Sequence, residues 1–198
     1  MIEIESKVRL SDPDLIRKQL LDLGAQRGYS LDITDTYYNS PNIERDFARW
    51  DETLRLRYAI EREPTNNDII LETTDLTYKG PKMDQTIKTR PEIKVDLVDP
   101  ENIHQLLTRI GFETKIVLKK HRELYEIVRE DHLLQIMLDQ VESLPDIYLE
   151  IELMIEHEDQ ITNAKESIVK FMGELGFQEH DTILKSYLEL VKEYQKSG

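Results

Sequence analysis

The chain has 198 residues, no cysteine, 33% charged residues and a formal net charge of −14. The lack of cysteine excludes a disulfide framework, a thiolate zinc site and a thiol nucleophile, and the acidic balance argues against a nucleic-acid surface. The length suits one domain, residues 1–198; with no apolar run near the ~20 residues that span a bilayer and with Glu3 and Glu5 where a signal peptide needs an apolar run, the expected location is the cytoplasm, away from any membrane.

The first stretch, "MIEIESKVRL", alternates: Ile2, Ile4, Val8 and Leu10 share one face of a strand, and Glu3, Glu5, Lys7 and Arg9 the other. A helix follows, with Ser11 as its expected cap, Pro13 in its first turn, Ile16, Leu20 and Leu23 as its apolar stripe, and Gly24 as its stop. Strand-like runs cover 31–39, 54–60, 69–79 and 86–97, with turns at Pro64 to Asp68 and Gly80 to Asp84. Asp99 and Pro100 open a second helix that Gly111 ends, and strands are expected over 116–128, 133–141 and 148–156. A third helix carries Ile161, Ile168, Phe171, Met172 and Leu175, and a last one is expected over 182–195 with Tyr187, Leu190 and Val191 buried. A strand-to-helix plan recurs at 3–25, 92–112 and 150–177, each with a Leu-Gly or Ile-Gly stop. The class is α+β: eight strands in a largely antiparallel sheet, with helices on one side.

The charged faces carry the functional information. Arg55 and Arg57 share a face, as do Lys88, Arg90, Glu92 and Lys94, Lys120 and Arg122, and Glu150 and Glu152; Lys79 and Asp139 complete the set. A wet outer face normally intersperses the two signs, whereas here acids gather on the first and last strands and bases on the middle ones. If the sheet closes, acid-rich strands meet beside each other and face a basic wall. Such an interior needs water, counter-ions or a charged ligand, because an uncompensated buried ion is too costly. Acids two residues apart on a strand, ~7 Å along it, can converge on a hard cation such as Mg²⁺. The bases then suit a polyphosphate.

The order of motifs resembles the CYTH superfamily of class IV adenylyl cyclases, thiamine triphosphatases and inorganic triphosphatases, the triphosphate tunnel metalloenzymes. The residues that carry the likeness are "EIESK" at 3–7, similar to the ExExK signature, then "DTYYNS" at 35–40, "LRLR" at 54–57, "TYKGP" at 77–81, "KTRPEI" at 88–93, "KKHRELY" at 119–125, "LDQVESL" at 138–144, "EIE" at 150–152 and "KSYLELV" at 185–191. The resemblance implies an eight-stranded antiparallel tunnel barrel with a charged interior and helices outside. It implies Glu3, Glu5, Asp139, Glu150 and Glu152 as ligands for Mg²⁺ or Mn²⁺. It implies Lys7, Arg55, Arg57, Lys79, Lys88, Arg90, Lys120, Arg122 and Lys185 as triphosphate-binding bases, and Tyr37 with Lys79 as a catalytic pair that activates water in some hydrolytic members. Glu92 is a further tunnel acid.

Some positions depart from the family pattern: Lys94 stands where many members have Glu, Asn39 replaces a common Asp, and Trp50 lies four residues before Leu54, which gives no support for thiamine stacking. The leading expectation is a class IV adenylyl cyclase-like enzyme acting on ATP. The alternatives are a triphosphatase for tripolyphosphate, a nucleotide or thiamine triphosphate, and a non-catalytic polyphosphate-binding module. A homodimer is compatible with apolar helix exteriors. His104, His121 and His132 are read as residues outside the site, and Phe47 and Trp50 as ordinary loop packing rather than a stacking lid.

Overall fold

Strict alternation along each strand gives a sheet with one apolar and one charged face, and in the computed structural model that sheet closes with its charged face inward. Residues 1–83 and 87–197 are described; Asp84 and Thr86, at the ends of an expected turn and strand, lie outside them. The elements run β1 (Ile2–Leu10), α1 (Pro13–Asp22), β2 (Gln26–Asn39), β3 (Thr53–Arg62), β4 (Ile69–Lys79), β5 (Lys88–Leu97), α2 (Pro100–Arg109), β6 (Glu113–Arg129), β7 (His132–Val141), β8 (Ile147–Ile155), α3 (Ile161–Glu174) and α4 (Tyr187–Ser197). The strands form a closed antiparallel barrel in the order β1-β5-β4-β3-β2-β6-β7-β8. The acid-rich β1 and β8 are therefore neighbours, with Glu5 opposite Glu152 and Lys7 opposite Glu150. The arginine strand β3 stands four places round the ring from β8.

The apolar core lies outside the barrel. Ile4, Val8, Leu149, Ile151, Leu134 and Ile136 form one layer, and α1 (Ile16, Leu20) and α3 (Ala164, Ile168, Phe171, Met172) form the other. The α3 quartet has no exposed surface, and each large side chain buried this way stabilises the fold by roughly 1.5–3 kcal/mol. A second cluster joins α4 to Leu118, Val141 and Tyr148, and a third joins α2 to Tyr38 and Leu56. No helix among the described residues is long and apolar enough to cross a membrane.

Local signals set the helix ends. Asp12, not Ser11, caps α1: its carboxylate accepts the Leu15 amide at 3.0 Å, one residue ahead of Pro13. Asp99 caps α2 as its sequence indicates, in a left-handed conformation (φ 59°). At the end of α2, Gly111 has φ 100°, and a Cβ there would approach Pro41 to 3.0 Å, so both backbone and space require glycine. The last helix begins at Tyr187 rather than 182. The segment before it is pinned to β1, with Thr182 hydroxyl-bonded to Ser6 at 2.9 Å and the Ile183 amide donating to the Lys7 carbonyl at 2.7 Å.

Candidate active site

Every strand contributes charge to the interior, where a cavity of about 320 Å³ runs between the acidic and basic walls. Its lining includes Glu5, Lys7, Tyr37, Arg55, Arg57 and Lys79, together with Lys88, Arg90, Lys120, Arg122, Glu150 and Glu152. Glu3 and Asp139 belong to the same charged layer and have no exposed surface.

Carboxylate oxygens of Glu3, Glu5 and Glu152 lie within 4.8 Å of one another. Their environments differ. Burial pushes Glu3 well up despite the Lys79 ammonium that bonds it, and Glu152 rises for the same reason, with like charge from Glu5 and Glu92 adding to the effect. Burial acts on Glu5 as well, but Lys88 at 2.9 and 3.0 Å and Lys7 at 3.3 Å overcome it and hold Glu5 well below the usual range. Lys79 also reaches Glu92 at 2.9 Å.

The opposite wall is built from arginines on counter-ions. Arg57 donates twice to Asp35, both at 2.7 Å, and Arg55 donates to Thr77 at 3.2 Å with Asp35 and Asp75 at 3.8 and 3.6 Å. Although burial opposes ionisation, Arg57 and Arg55 keep Asp35 far below its ordinary value. Arg122 donates to Asp139 at 2.6 and 2.5 Å and to Glu150 at 2.6 Å, while Lys120 donates to Asp139 at 2.8 Å. Burial and the neighbouring Arg122 charge lower Lys120 to about 8. Arg90 is buried and reaches Thr53 and Asp51 at 3.5 and 3.4 Å.

Of the five acids expected to ligate metal, the structure brings Glu3, Glu5 and Glu152 together. Asp139 and Glu150 are not part of that trio; they are held by Arg122, Lys120 and Lys7, the last of which bridges Glu150 to Glu5. Of the expected bases, Lys185 points away: its ammonium pairs with Glu193 at 2.8 Å, and its backbone carbonyl is what meets the tunnel, accepting from Lys7 at 3.0 Å. His104, His121 and His132 bond Tyr38, Asp32 and Ser167 and stay outside the acid cluster. Phe47 packs in the loop against Phe112, whereas Trp50 is 60% exposed.

Sequence reasoning missed Asp35, Asp75 and Thr77. Strand parity could have found them, since Asp35 shares a face with Tyr37 and Asp75 and Thr77 share one with Lys79. Tyr187 was expected in a helix core but also lines the cavity, a position that pattern alone does not signal.

A divalent cation fits the acid cluster on chemical grounds. The donors are all carboxylate oxygens, suited to a hard ion, and the buried Oε1 of Glu3 has no hydrogen-bond partner among the described residues.

Comparison with known proteins agrees with this geometry. The CYTH domain model matches residues 1–187. A candidate adenylate cyclase of Methanocaldococcus jannaschii is 34% identical over 190 residues, covering 96% of this chain and 98% of that protein. The PH1819 protein of Pyrococcus horikoshii is 34% identical, with 96% of this chain and 98% of that one superposed at a TM-score of 0.80. A candidate adenylyl cyclase from Hippeastrum, described as having a dominant triphosphatase activity, shares the fold at a TM-score of 0.56 and 18% identity, over 86% of this chain and 88% of that one. With a closed eight-stranded barrel, a charged interior and a domain match that runs from the first residue to the start of the last helix, the chain belongs to the CYTH family.

Proposed function

We propose that this protein is a divalent-metal-dependent enzyme that holds a nucleoside triphosphate in its tunnel and converts ATP to cyclic AMP and pyrophosphate. The observation that carries the choice of a nucleotide is a second chamber that adjoins the basic cavity and adds no base of its own. Beyond Arg57, Asp75, Lys94 and Arg122 lies a second chamber of about 440 Å³ whose walls mix Leu31, Ala59 and Leu124 with the acids Glu61, Glu72 and Asp96, which repel phosphate and can accept from ribose hydroxyls or a base amino group. A polyphosphate suits the first space and a neutral nucleoside the second, with the arginines between them.

Glu3, Glu5 and Glu152 would hold Mg²⁺ or Mn²⁺. When bound, the cation supplies positive charge to the triphosphate oxygens and acidifies an oxygen that it polarises. Arg55, Arg57, Arg90 and Arg122 orient the phosphates and cancel charge as it shifts toward the leaving group. Tyr37, whose phenol is pushed up by burial and by Asp35, and Lys79, held charged by Glu3 and Glu92, serve as donors to the phosphates. The ribose 3′-oxygen forms a bond to the α-phosphorus, the bond from that phosphorus to the bridging oxygen breaks, pyrophosphate departs, and the hydroxyl proton passes to a carboxylate of the acidic wall.

A hydrolytic reading is favoured by one observation: Tyr37 and Lys79 both line the charged cavity, which is complete without the second chamber. Incubating the purified protein with Mg²⁺ or Mn²⁺ and either ATP or tripolyphosphate separates the possibilities. Cyclic AMP from ATP is the expected product. Orthophosphate from tripolyphosphate without cyclic AMP from ATP would make it a phosphohydrolase, and no product from either would leave a binding module.

A further inference from the structure

The charged section of the tunnel is lined mainly by strands, but its end is met by the first residue of α4. Tyr187 is 7% exposed, and its ring centroid lies 4.3 Å from the Lys7 ammonium and 4.8 Å from that of Lys120. These lysines come from β1 and β6, on different sides of the β7–β8 pair. A single aromatic ring therefore spans two cations that the barrel alone keeps on separate strands. Tyr148 packs edge-on against the ring at 5.6 Å and 75°, fixing its plane. The backbone adds to the arrangement, because the Lys185 carbonyl accepts from Lys7 two residues before the ring.

Without the ring each ammonium has strong acidic neighbours, Glu5 and Glu150 for Lys7 and Asp139 for Lys120. A π face attracts a cation without satisfying its N–H donors, so Lys120, whose ammonium donates to Asp139 at 2.8 Å, keeps protons for an incoming anion, while Lys7, engaged by Glu5, Glu150 and the Lys185 carbonyl, is held beside it as a fixed positive charge. The Tyr187 hydroxyl, by contrast, is buried with no hydrogen-bond partner among the described residues, so the ring is the part of this side chain that meets the cations.

Given the triphosphate reading of the tunnel, on which this inference rests, we propose that Tyr187 is a positioning residue: its ring holds Lys7 and Lys120 in the geometry that receives the anion, making the start of α4 part of the binding site.

The test is calorimetric binding of tripolyphosphate with Mg²⁺ present. Tyr187→Phe keeps the ring and should bind within about twofold of wild type. Replacing residue 187 by phenylalanines carrying increasing numbers of ring fluorines keeps the shape and weakens the negative face. Affinity should fall stepwise, reaching about tenfold in the most fluorinated ring, with the melting temperature little changed. Tyr187→Leu should show a similar loss if it folds; the fluorinated series does not depend on it. Arg57→Ala is the control for the tunnel itself. If wild type binds, Arg57→Ala does not, and affinity is flat across the fluorinated series, the role of Tyr187 is refuted while the triphosphate reading stands. A loss in Tyr187→Phe equal to that of the most fluorinated ring would also overturn it, by assigning the effect to the hydroxyl. Absence of binding by wild type would remove the tunnel reading and this proposal together.

Discussion

Glu5 and Glu152 face each other across adjacent strands, yet their neutralisation should have opposite effects on stability. Simple like-charge repulsion would have either Glu→Gln change leave the fold intact or slightly stabilised, and the ion pairs separate the two cases. Glu5 compensates two ammoniums, Lys88 at 2.9 and 3.0 Å and Lys7 at 3.3 Å, all with side chains under 10% exposed. Removing one partner of a buried pair typically costs ~3–5 kcal/mol. Lys7 retains Glu150 at 3.2 Å, and a glutamine carbonyl still accepts one hydrogen bond, so Glu5→Gln should cost about 2–3 kcal/mol. Glu152 has no cation in ion-pair reach among the described residues, and burial raises it. Glu152→Gln should therefore be neutral or stabilising by up to about 1 kcal/mol. Urea unfolding at neutral pH with a chelator, followed by circular dichroism, measures both. The pH dependence has a defined sign: a carboxylate raised above its ordinary 4.5 carries no penalty below that value and a full one above its folded value. The stability gained by Glu152→Gln should grow as pH rises through that window. Both variants should lose Mn²⁺ affinity. A Glu5→Gln protein as stable as wild type, or a Glu152→Gln protein less stable than Glu5→Gln, would refute the reasoning.

Arg57→Ala should raise the KM for the triphosphate more than it lowers kcat, and Arg57→Lys should recover only part of the loss, because a lysine cannot reproduce the two bonds to Asp35; steady-state kinetics decide. Ala59→Leu puts bulk on the wall of the second chamber, so ATP binding should weaken by about tenfold while tripolyphosphate binding stays within about twofold; equal losses would remove the nucleoside from that chamber. Asp99→Ala removes the cap that accepts the Asn102 amide at 3.1 Å and places alanine at a left-handed position, at a cost of about 1–2 kcal/mol in chemical denaturation, with activity unchanged.

Alternation made most of the barrel legible. Ile2, Ile4 and Val8 against Glu3, Glu5 and Lys7, repeated with other charges on β3, β5 and β8, identifies both the strands and the face that turns inward. The adjacency of β1 and β8 followed from the sorting of acids and bases, since closure brings the ends of the order together. Pairings across the tunnel were not legible, because parity tells which residues face inward and not which meet. Asp139 and Glu150 thus read as metal ligands of the same standing as Glu3, although Arg122 engages both of them. Lys185 reads as a tunnel base by its place in "KSYLELV", but an alternative partner, Glu193, lies two turns along the following helix. The late start of α4 has a tertiary cause: Thr182 and Ile183 exchange helical geometry for bonds to β1 that local sequence does not announce.

The charge inventory of the tunnel explains why such an interior is tolerable and what it is poised to receive. In its first, basic section, among the described residues, eight acids, Glu3, Glu5, Asp35, Asp75, Glu92, Asp139, Glu150 and Glu152, face nine bases, Lys7, Arg55, Arg57, Lys79, Lys88, Arg90, Lys94, Lys120 and Arg122. The near balance offsets the desolvation that would otherwise forbid this packing, and it does so through specific pairs rather than an average. The pairs are distributed unevenly. On the arginine wall each acid is engaged by strong donors, so those guanidiniums are fixed in direction while keeping N–H groups such as the Nε of Arg55 and Arg90 without hydrogen-bond partners. On the β1–β8 side Lys79, Lys88 and Lys7 engage Glu3 and Glu5, and burial, with like charge adding to it, pushes Glu3 and Glu152 up. The first wall has donor capacity to spare and the second has carboxylate oxygens to spare, the Oε1 of Glu3 among them. A divalent cation and a triphosphate of about four negative charges relieve both at once, each compensating the excess that the other leaves. Binding of the two should therefore be cooperative: Mn²⁺ should bind Glu3, Glu5 and Glu152 more tightly when tripolyphosphate is present, and tripolyphosphate should gain by the same factor when Mn²⁺ is present. Calorimetric titrations in the two orders measure that factor, and a value of one would mean that the walls act independently.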